Sequence, residues 1–186
     1  MHIYIKNMVC NRCITAVKNE LEKLNANIRS IDLGEVEIEE DLSPQELTEL
    51  GITLKQLGFE IINDKKGRLI EQIKNEIVYV IHHSESILNT NLSFWLADKL
   101  HYDYTYLSNL FSEVEGTTIE KYFIAQRIEK VKELLVYDEL SLSEIAEAMG
   151  YSSAAYLSSQ FKKVTGFTPT YYKSVKENKR RKIDEL

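Results

Sequence analysis

Cys10 and Cys13 stand three residues apart in Met8-Val9-Cys10-Asn11-Arg12-Cys13, and the chain has no other cysteine. Two cysteines cannot build the disulfide framework of a small secreted protein. Their spacing points instead to metal or redox chemistry. Thiolates at i and i+3 across a loop-to-helix junction converge on one ion, and a helix N-terminus lowers a thiol's pKa. Two soft sulfurs beside the uncharged Val9 suit Cu(I) or Ag(I) better than a hard cation. Zn(II) asks for four ligands, and no second cluster accompanies the pair. The expected cofactor is therefore one soft metal ion per chain on Cys10 and Cys13, and a dithiol redox switch is the other chemistry open to them. His2 becomes a third ligand only if its strand brings it close. His82-His83 reads as a helix surface pair.

A second chemistry is carried by charge. The formal net charge is −6, which by itself argues against nucleic acid, but a sum hides local stripes. Residues 1–67 hold 8 basic and 12 acidic side chains, a net −4, and residues 68–186 hold 15 and 17, a net −2. Within the latter, residues 158–182 hold eight basic side chains (Lys162, Lys163, Lys173, Lys176, Lys179, Arg180, Arg181 and Lys182) against Glu177 alone, a local +7. That run is either a phosphate-gripping end or a solvated tail. No paired acid and base, nucleophile–histidine set or phosphate-cradling glycine loop is present, so no enzyme is expected.

The 186 residues allow one large domain or two small ones, and 44% hydrophobic with 28% charged side chains is the balance of an ordinary globular chain. Disordered and fibrous classes are excluded. No apolar run approaches the roughly 18 to 20 residues of a membrane span, and the N-terminus lacks a signal-peptide pattern. The expected location is the cytoplasm, with no membrane partner.

The thiols need a scaffold, and residues 1–67 supply short alternating strands and helices. Ile3 and Ile5 mark a strand. Ile14, Val17, Leu21 and Leu24 give a helix over 13–24. Residues 28–33, Gly34, Val36 and Ile38 read as a hairpin. Ser43-Pro44-Gln45-Glu46 is a helix start with a capping box, followed by an apolar stripe of Leu47, Leu50, Leu54 and Leu57. Residues 59–62 form a last strand, and 63–67 read as a linker. The order β-α-β-β-α-β predicts a ferredoxin-like sandwich in an α+β N-terminal domain.

From residue 68 onward the pattern is all-helical. Ile70, Ile73, Ile77, Val80 and Ile81 share one helical face. The chain then repeats itself. Leu96-Ala97 matches Ile145-Ala146 at an offset of 49, and the offset becomes 50 at Leu107/Leu157, Phe111/Phe161, Gly116/Gly166, Thr118/Thr168 and Tyr122/Tyr172. Each copy is a short helix (93–100; 143–149), a tight turn and a longer helix (104–115; 153–165), stopped by Gly116 or Gly166. Ala97 and Ala146 are small enough for close helix crossing, and Gly150 or His101 takes the turn. A helix over 119–136, capped by Thr117 with Glu120, joins the copies. The next helix is capped by Ser141 with Glu144. At about 1.5 Å per residue the joining helix is roughly 27 Å long. That can hold two reading helices near one DNA turn apart, about 34 Å.

Residues 145–173, IAEAMGYSSAAYLSSQFKKVTGFTPTYYK, resemble the C-terminal signature of the AraC/XylS family of bacterial transcription regulators. LADKLHYDYTYLSNLFSEVEGTTIEKYFIAQRI, residues 96–128, resembles its companion half. The resemblance covers roughly residues 70–178. It implies a seven-helix DNA-binding domain over 68–186 with two helix-turn-helix units and double-stranded DNA as partner. Base readers must then project from the outer face of each longer helix: Tyr104, Thr105, Ser108 and Asn109 in the first, Ala154, Ala155, Ser158 and Ser159 in the second. Lys162 and Lys163 coincide with the signature as phosphate contacts, and Thr168 caps a helix beginning at Pro169. Leu107, Phe111, Leu157 and Phe161 read as core. Neither outer face carries the arginine that most often reads guanine, while Asn109 can pair with adenine. Ser112, Glu113 and Glu115 make the first copy poor for phosphate, so the second copy and the basic end are expected to supply most affinity.

The stretch 2–62, with Met8-x-Cys10-x-x-Cys13 between strand and helix and Gly58-Phe59 before the last strand, resembles heavy-metal-associated domains. It departs at Asn7, where that family has glycine. The resemblance implies that Met8 packs rather than ligates. Together the two resemblances imply a transcription regulator with a metal-sensing or metal-chaperone-docking head, and a second copy of the chain as a further candidate partner. A metal carrier whose helical part docks a protein rather than DNA is the alternative reading.

Overall fold

A computed structural model describes residues 1–83 and 91–177. The basic positions Lys179, Arg180, Arg181 and Lys182 lie outside the described residues. Four strands form one sheet: β1 (His2–Lys6), β2 (Ile28–Asp32), β3 (Glu35–Ile38) and β4 (Glu60–Ile62). Their order is β2-β3-β1-β4, with every neighbouring pair antiparallel. Register pairs Ile3 with Val36 and Ile5 with Ile61. This is the order that the β-α-β-β-α-β pattern predicts.

α1 (Asn11–Lys23) and α2 (Pro44–Gln56) cover one face of the sheet. Ile3, Ile5, Val36 and Ile38 from the strands close a core with Val17, Leu21, Leu50, Leu54 and Met8. α1 starts two residues earlier than its apolar spacing suggests, because Cys10 is already extended and lets Asn11 open the helix. The capping box at Ser43 forms as predicted: its hydroxyl accepts from Glu46 N–H, and the Glu46 carboxylate accepts from Ser43 N–H at 2.7 Å.

The stretch 63–67 is not a linker throughout. α3 runs over Lys65–His82. Asp64 Oδ1 accepts from Gly67 N–H at 2.7 Å, so the polar residue that reads as a loop is the helix cap. Gly67 is required by space. A Cβ there would stand 2.7 Å from the Asp64 carboxylate and 2.9 Å from Ile62 Cγ2. α3 meets the sheet's second face. The Arg68 guanidinium lies 4.6 Å from the Tyr4 ring centroid, and Asn75 donates to Leu33 O at 2.9 Å in the β2–β3 turn.

The remaining helices are α4 (Leu92–Leu100), α5 (Tyr104–Glu115), α6 (Ile119–Tyr137), α7 (Leu142–Ala148), α8 (Ala154–Thr165) and α9 (Pro169–Glu177). By compactness the chain groups into two units. Met1–Tyr79 with Leu96–Leu110 forms the first, and the described parts of Val80–Trp95 and Phe111–Leu186 form the second. The sequence division at 67/68 follows the change of element type instead. No described helix is long and apolar enough to cross a membrane.

In the second unit α6 packs against α7, α8 and α9. Ile119, Ile128, Val131, Ile145, Leu157 and Phe161 are all buried. α6 has 19 residues, about 28 Å at 1.5 Å per residue. Its cap is Thr118, which accepts from Lys121 N–H, and not Thr117 with Glu120. Thr118 is the residue with extended backbone at the helix entry, and Thr117 lies one step outside. The Ser141–Glu144 box on α7 forms as expected. The hydrogen bonds to Ser141 hold the Glu144 carboxyl below its usual range. A depressed carboxylate pKa contributes stability above the ordinary glutamate range and loses it as pH falls through the folded value. Ser141→Ala is expected to cost about 1 kcal/mol at neutral pH. The difference from wild type should shrink on acidification, as read by denaturant melts at successive pH values.

Candidate nucleic-acid interface and thiol pair

Each repeated unit closes on a left-handed turn. α7 ends at Ala148 with Met149 as its C-cap, Gly150 has φ 66°, Gly150 N–H bonds Glu147 O and Tyr151 N–H bonds Ala146 O. Those two bonds are the helix-stopping pair that a left-handed residue makes possible. His101 takes φ 57° at the equivalent place in the first copy, a conformation uncommon for a side chain that the fold nonetheless requires there. Ala146 is buried and Ala97 half-buried.

The two longer helices are buried in the same register. Leu107 and Leu157, and Phe111 and Phe161, are fully enclosed as predicted. Phe111 packs on Tyr122 with centroids 5.6 Å apart, and Phe161 on Tyr172 at 5.5 Å. On the opposite side Thr105 and Asn109 are exposed, as are Ala155 and Ser159. Tyr104, Ser108, Ala154 and Ser158 are half-buried at the margins. Lys162 and Lys163 are exposed in the last turn of α8, where the first copy has Ser112 and Glu113. The caps differ too. Asp103 accepts from Thr105 N–H at 2.8 Å, whereas the neutral Ser153 hydroxyl accepts from Tyr156 N–H at 3.1 Å. A carboxylate at the start of α5 weakens its pull on a phosphate, while the start of α8 stays positive. Thr168 caps α9 by accepting from Tyr171 N–H.

Two features escape the sequence reading. Tyr106 and Tyr156 are exposed at equivalent positions, 48% and 55%. Their signal was available as one residue type recurring at an offset of 50. The other feature is Arg127 on α6, which donates to Met149 O and sits 3.8 Å over the Tyr151 ring. Burial lowers its pKa. One arginine on a mixed helix gives no periodic signal.

The thiols lie at the β1–α1 junction. Asn7 has φ 71° and donates to Gly58 O at 3.0 Å. That left-handed backbone explains how asparagine fills a glycine place. Met8 is fully buried, which fits a packing role. Cys10 is the N-cap of α1, and its sulfur lies 3.5 Å from that of Cys13. The Cys13 amide, then the Cys13 thiol, hold the Cys10 thiol below its ordinary range, with the Arg12 amide and charge adding to them. His2 does not join them. Its Nδ1 pairs with Glu35 at 2.9 Å, and no group of three metal-binding side chains forms among the described residues. His82 is not a plain surface residue either. It is half-buried with Nε2 3.4 Å from Gln126, and burial pushes its pKa down.

Residues 96–174 match the family model of a helix-turn-helix domain. An uncharacterized HTH-type transcriptional regulator, YtdP of Bacillus subtilis, is 29% identical over 118 residues, which is 63% of this chain and 15% of that protein. The xylose operon regulatory protein of Escherichia coli K12 is 39% identical over 69 residues, 37% of this chain and 18% of that protein. The chain thus spans less than a fifth of these curated relatives. Among solved structures, the C-terminal domain of the response regulator AraT from Geobacillus stearothermophilus has TM-score 0.51 and 29% identity, covering 60% of this chain and 88% of that one. An AraC-type DNA-binding domain protein from Chromobacterium violaceum shares the fold at TM-score 0.50 and 22% identity, over 59% and 96%. The family match begins at residue 96, so the likeness of residues 2–62 to heavy-metal-associated domains rests on the cysteine loop and strand order alone. The C-terminal part of the chain, over residues 96–174, carries a helix-turn-helix domain.

Proposed function

We propose that the chain is a sequence-specific DNA-binding transcription regulator of the AraC type. The observation that carries this reading is the register shared by α5 and α8. Each encloses Leu and Phe on one side and leaves a strip of small and polar side chains on the other. Ala155, Ser159 and Lys162 suit close approach to a groove, with cations toward phosphate. A helix built to dock a protein would present large apolar anchors there, which disfavours the carrier reading. Genome-wide footprinting, followed by fluorescence anisotropy on the footprinted duplex and a scrambled one, tests it. Binding that does not discriminate the two at any salt concentration overturns sequence specificity.

Cys10 and Cys13 form the second part of the proposal, as the holders of one soft metal ion. Support comes from two sulfurs 3.5 Å apart on a helix N-terminus, with Cys10 acidified by its neighbours. A soft ion is held by thiolates and displaces their protons on binding. An ion that binds one arrangement of the chain better than another shifts that equilibrium only by its differential affinity. A metal chaperone would be its donor. Titration with Cu(I) against a competing chelator should give one site per chain, lost in Cys10→Ser/Cys13→Ser. Equal uptake by that variant removes the metal from the proposal and leaves the DNA reader standing.

A further inference from the structure

We propose that Tyr156 offers its hydroxyl to a DNA phosphate while Arg127 and Tyr151 hold its ring in place. The inference rests on the DNA-binding reading and adds a contact that no basic side chain supplies. Tyr156 is 55% exposed on α8, and its backbone N–H is engaged by the Ser153 hydroxyl at the helix cap. With about 3.6 residues per turn, it falls off the line of Ala155, Ser159 and Lys162 and onto the flank shared with Gln160 and Lys163. The strip facing a groove therefore carries short side chains at Ala155 and Ser159 and an ammonium at Lys162, and the flank beside it carries a phenol and a second ammonium at Lys163. Phenol hydroxyls are ordinary partners of phosphate oxygens, and such contacts fix register without reading sequence.

An exposed tyrosine usually samples several rotamers, and ordering it on DNA costs entropy. Here the ring is already buttressed. Tyr151 meets it edge-on with centroids 6.0 Å apart, and Tyr151 is itself 7% exposed. Arg127 reaches from α6 to lie 3.8 Å over the Tyr151 ring and 5.5 Å from that of Phe123, and it donates to Met149 O at the end of α7. The pillar therefore runs from the joining helix through the turn to the exposed flank of α8, all within the second compact unit. In the first copy Tyr106 stacks on Tyr102 at 5.8 Å, but Glu113 occupies the place of Lys163. That carboxylate repels a phosphate on the same flank, so the assignment falls on Tyr156 and not on Tyr106.

The test uses the full chain and Tyr156→Phe, which keeps the ring against Tyr151 and removes only the hydroxyl. Affinity should fall roughly tenfold on the footprinted duplex and by a similar factor on a scrambled one. The melting temperature should not move. The slope of log affinity against log salt should also stay at its wild-type value, because a neutral hydroxyl releases no counterion, whereas Lys163→Gln should lower that slope by about 1. A single methylphosphonate walked along the duplex should weaken wild type at one phosphate where it leaves Tyr156→Phe unaffected. Arg127→Met should weaken binding, and less so when combined with Tyr156→Phe. Wild-type affinity in Tyr156→Phe, or a loss confined to one sequence, overturns the phosphate contact while the DNA reading survives. A wild-type chain that binds no duplex overturns both.

Discussion

Lys162→Gln/Lys163→Gln is expected to bind duplex DNA on the order of thirtyfold more weakly near 0.15 M salt, with the salt slope reduced by about 1.8. The magnitude follows from two phosphate contacts at about 0.9 counterions each, evaluated at that salt concentration. Both ammonium groups are exposed in the last turn of α8, so their loss removes no core packing, and the melt should stay near wild type. The loss should be nearly equal on specific and scrambled sequences, since phosphates carry no code. The first copy provides the mirror experiment. Glu113 is exposed at the position of Lys163. Glu113→Lys should raise affinity and steepen the slope, if the first unit also approaches the backbone. Anisotropy titrations at four salt concentrations read both variants. An unchanged slope in the double lysine variant would detach these residues from DNA altogether.

How much of this was legible beforehand depends on whether a signal is periodic. The repeat placed α5 and α8 to within a residue, because Leu107/Leu157 and Phe111/Phe161 recur at fixed spacing and Gly116 and Gly166 stop both helices. The capping boxes at Ser43 and Ser141 were equally plain, since a hydroxyl and a glutamate three apart satisfy each other locally. What failed was punctuation whose meaning depends on tertiary context. Asp64 and Gly67 carry loop composition, yet the chain needed a cap and a close approach to Ile62, so α3 begins inside the expected linker. Thr117 and Thr118 are chemically equivalent caps, and backbone direction chose the second.

The candidate site divides along the same line. Outward positions on a helix follow from its inward ones, so Thr105, Asn109, Ala155 and Ser159 could be named from the apolar stripe. Arg127 could not. Its role comes from a side chain crossing to the turn of another element, and nothing in its neighbours on α6 marks it. The condition set for His2 is not met, for a related reason. Period-two alternation puts it on the sheet face opposite Ile3, where Glu35 and Glu37 meet it instead of the thiols.

Phe161→Ala should be the most damaging single substitution in the second unit, costing about 3 to 5 kcal/mol. The ring is fully enclosed and meets Tyr172 edge-on at 5.5 Å, so truncation removes transfer energy, an aromatic pair and the filling between α8 and α9 together. For a compact unit of this size a loss of 1 kcal/mol lowers the melting temperature by about 4 to 8 °C, so a drop beyond roughly 12 °C is expected. Phe161→Leu keeps most of the volume and should cost far less. DNA binding would vanish in the alanine variant because α8 loses its seat, whereas in the lysine variant it weakens on an intact fold. The two substitutions lie one residue apart in the sequence, at Phe161 and Lys162, and point in different directions from one helix. If Phe161→Ala melted like wild type, the inward face of α8 would be misassigned. The outward strip would be misassigned with it, because each is defined only by the other.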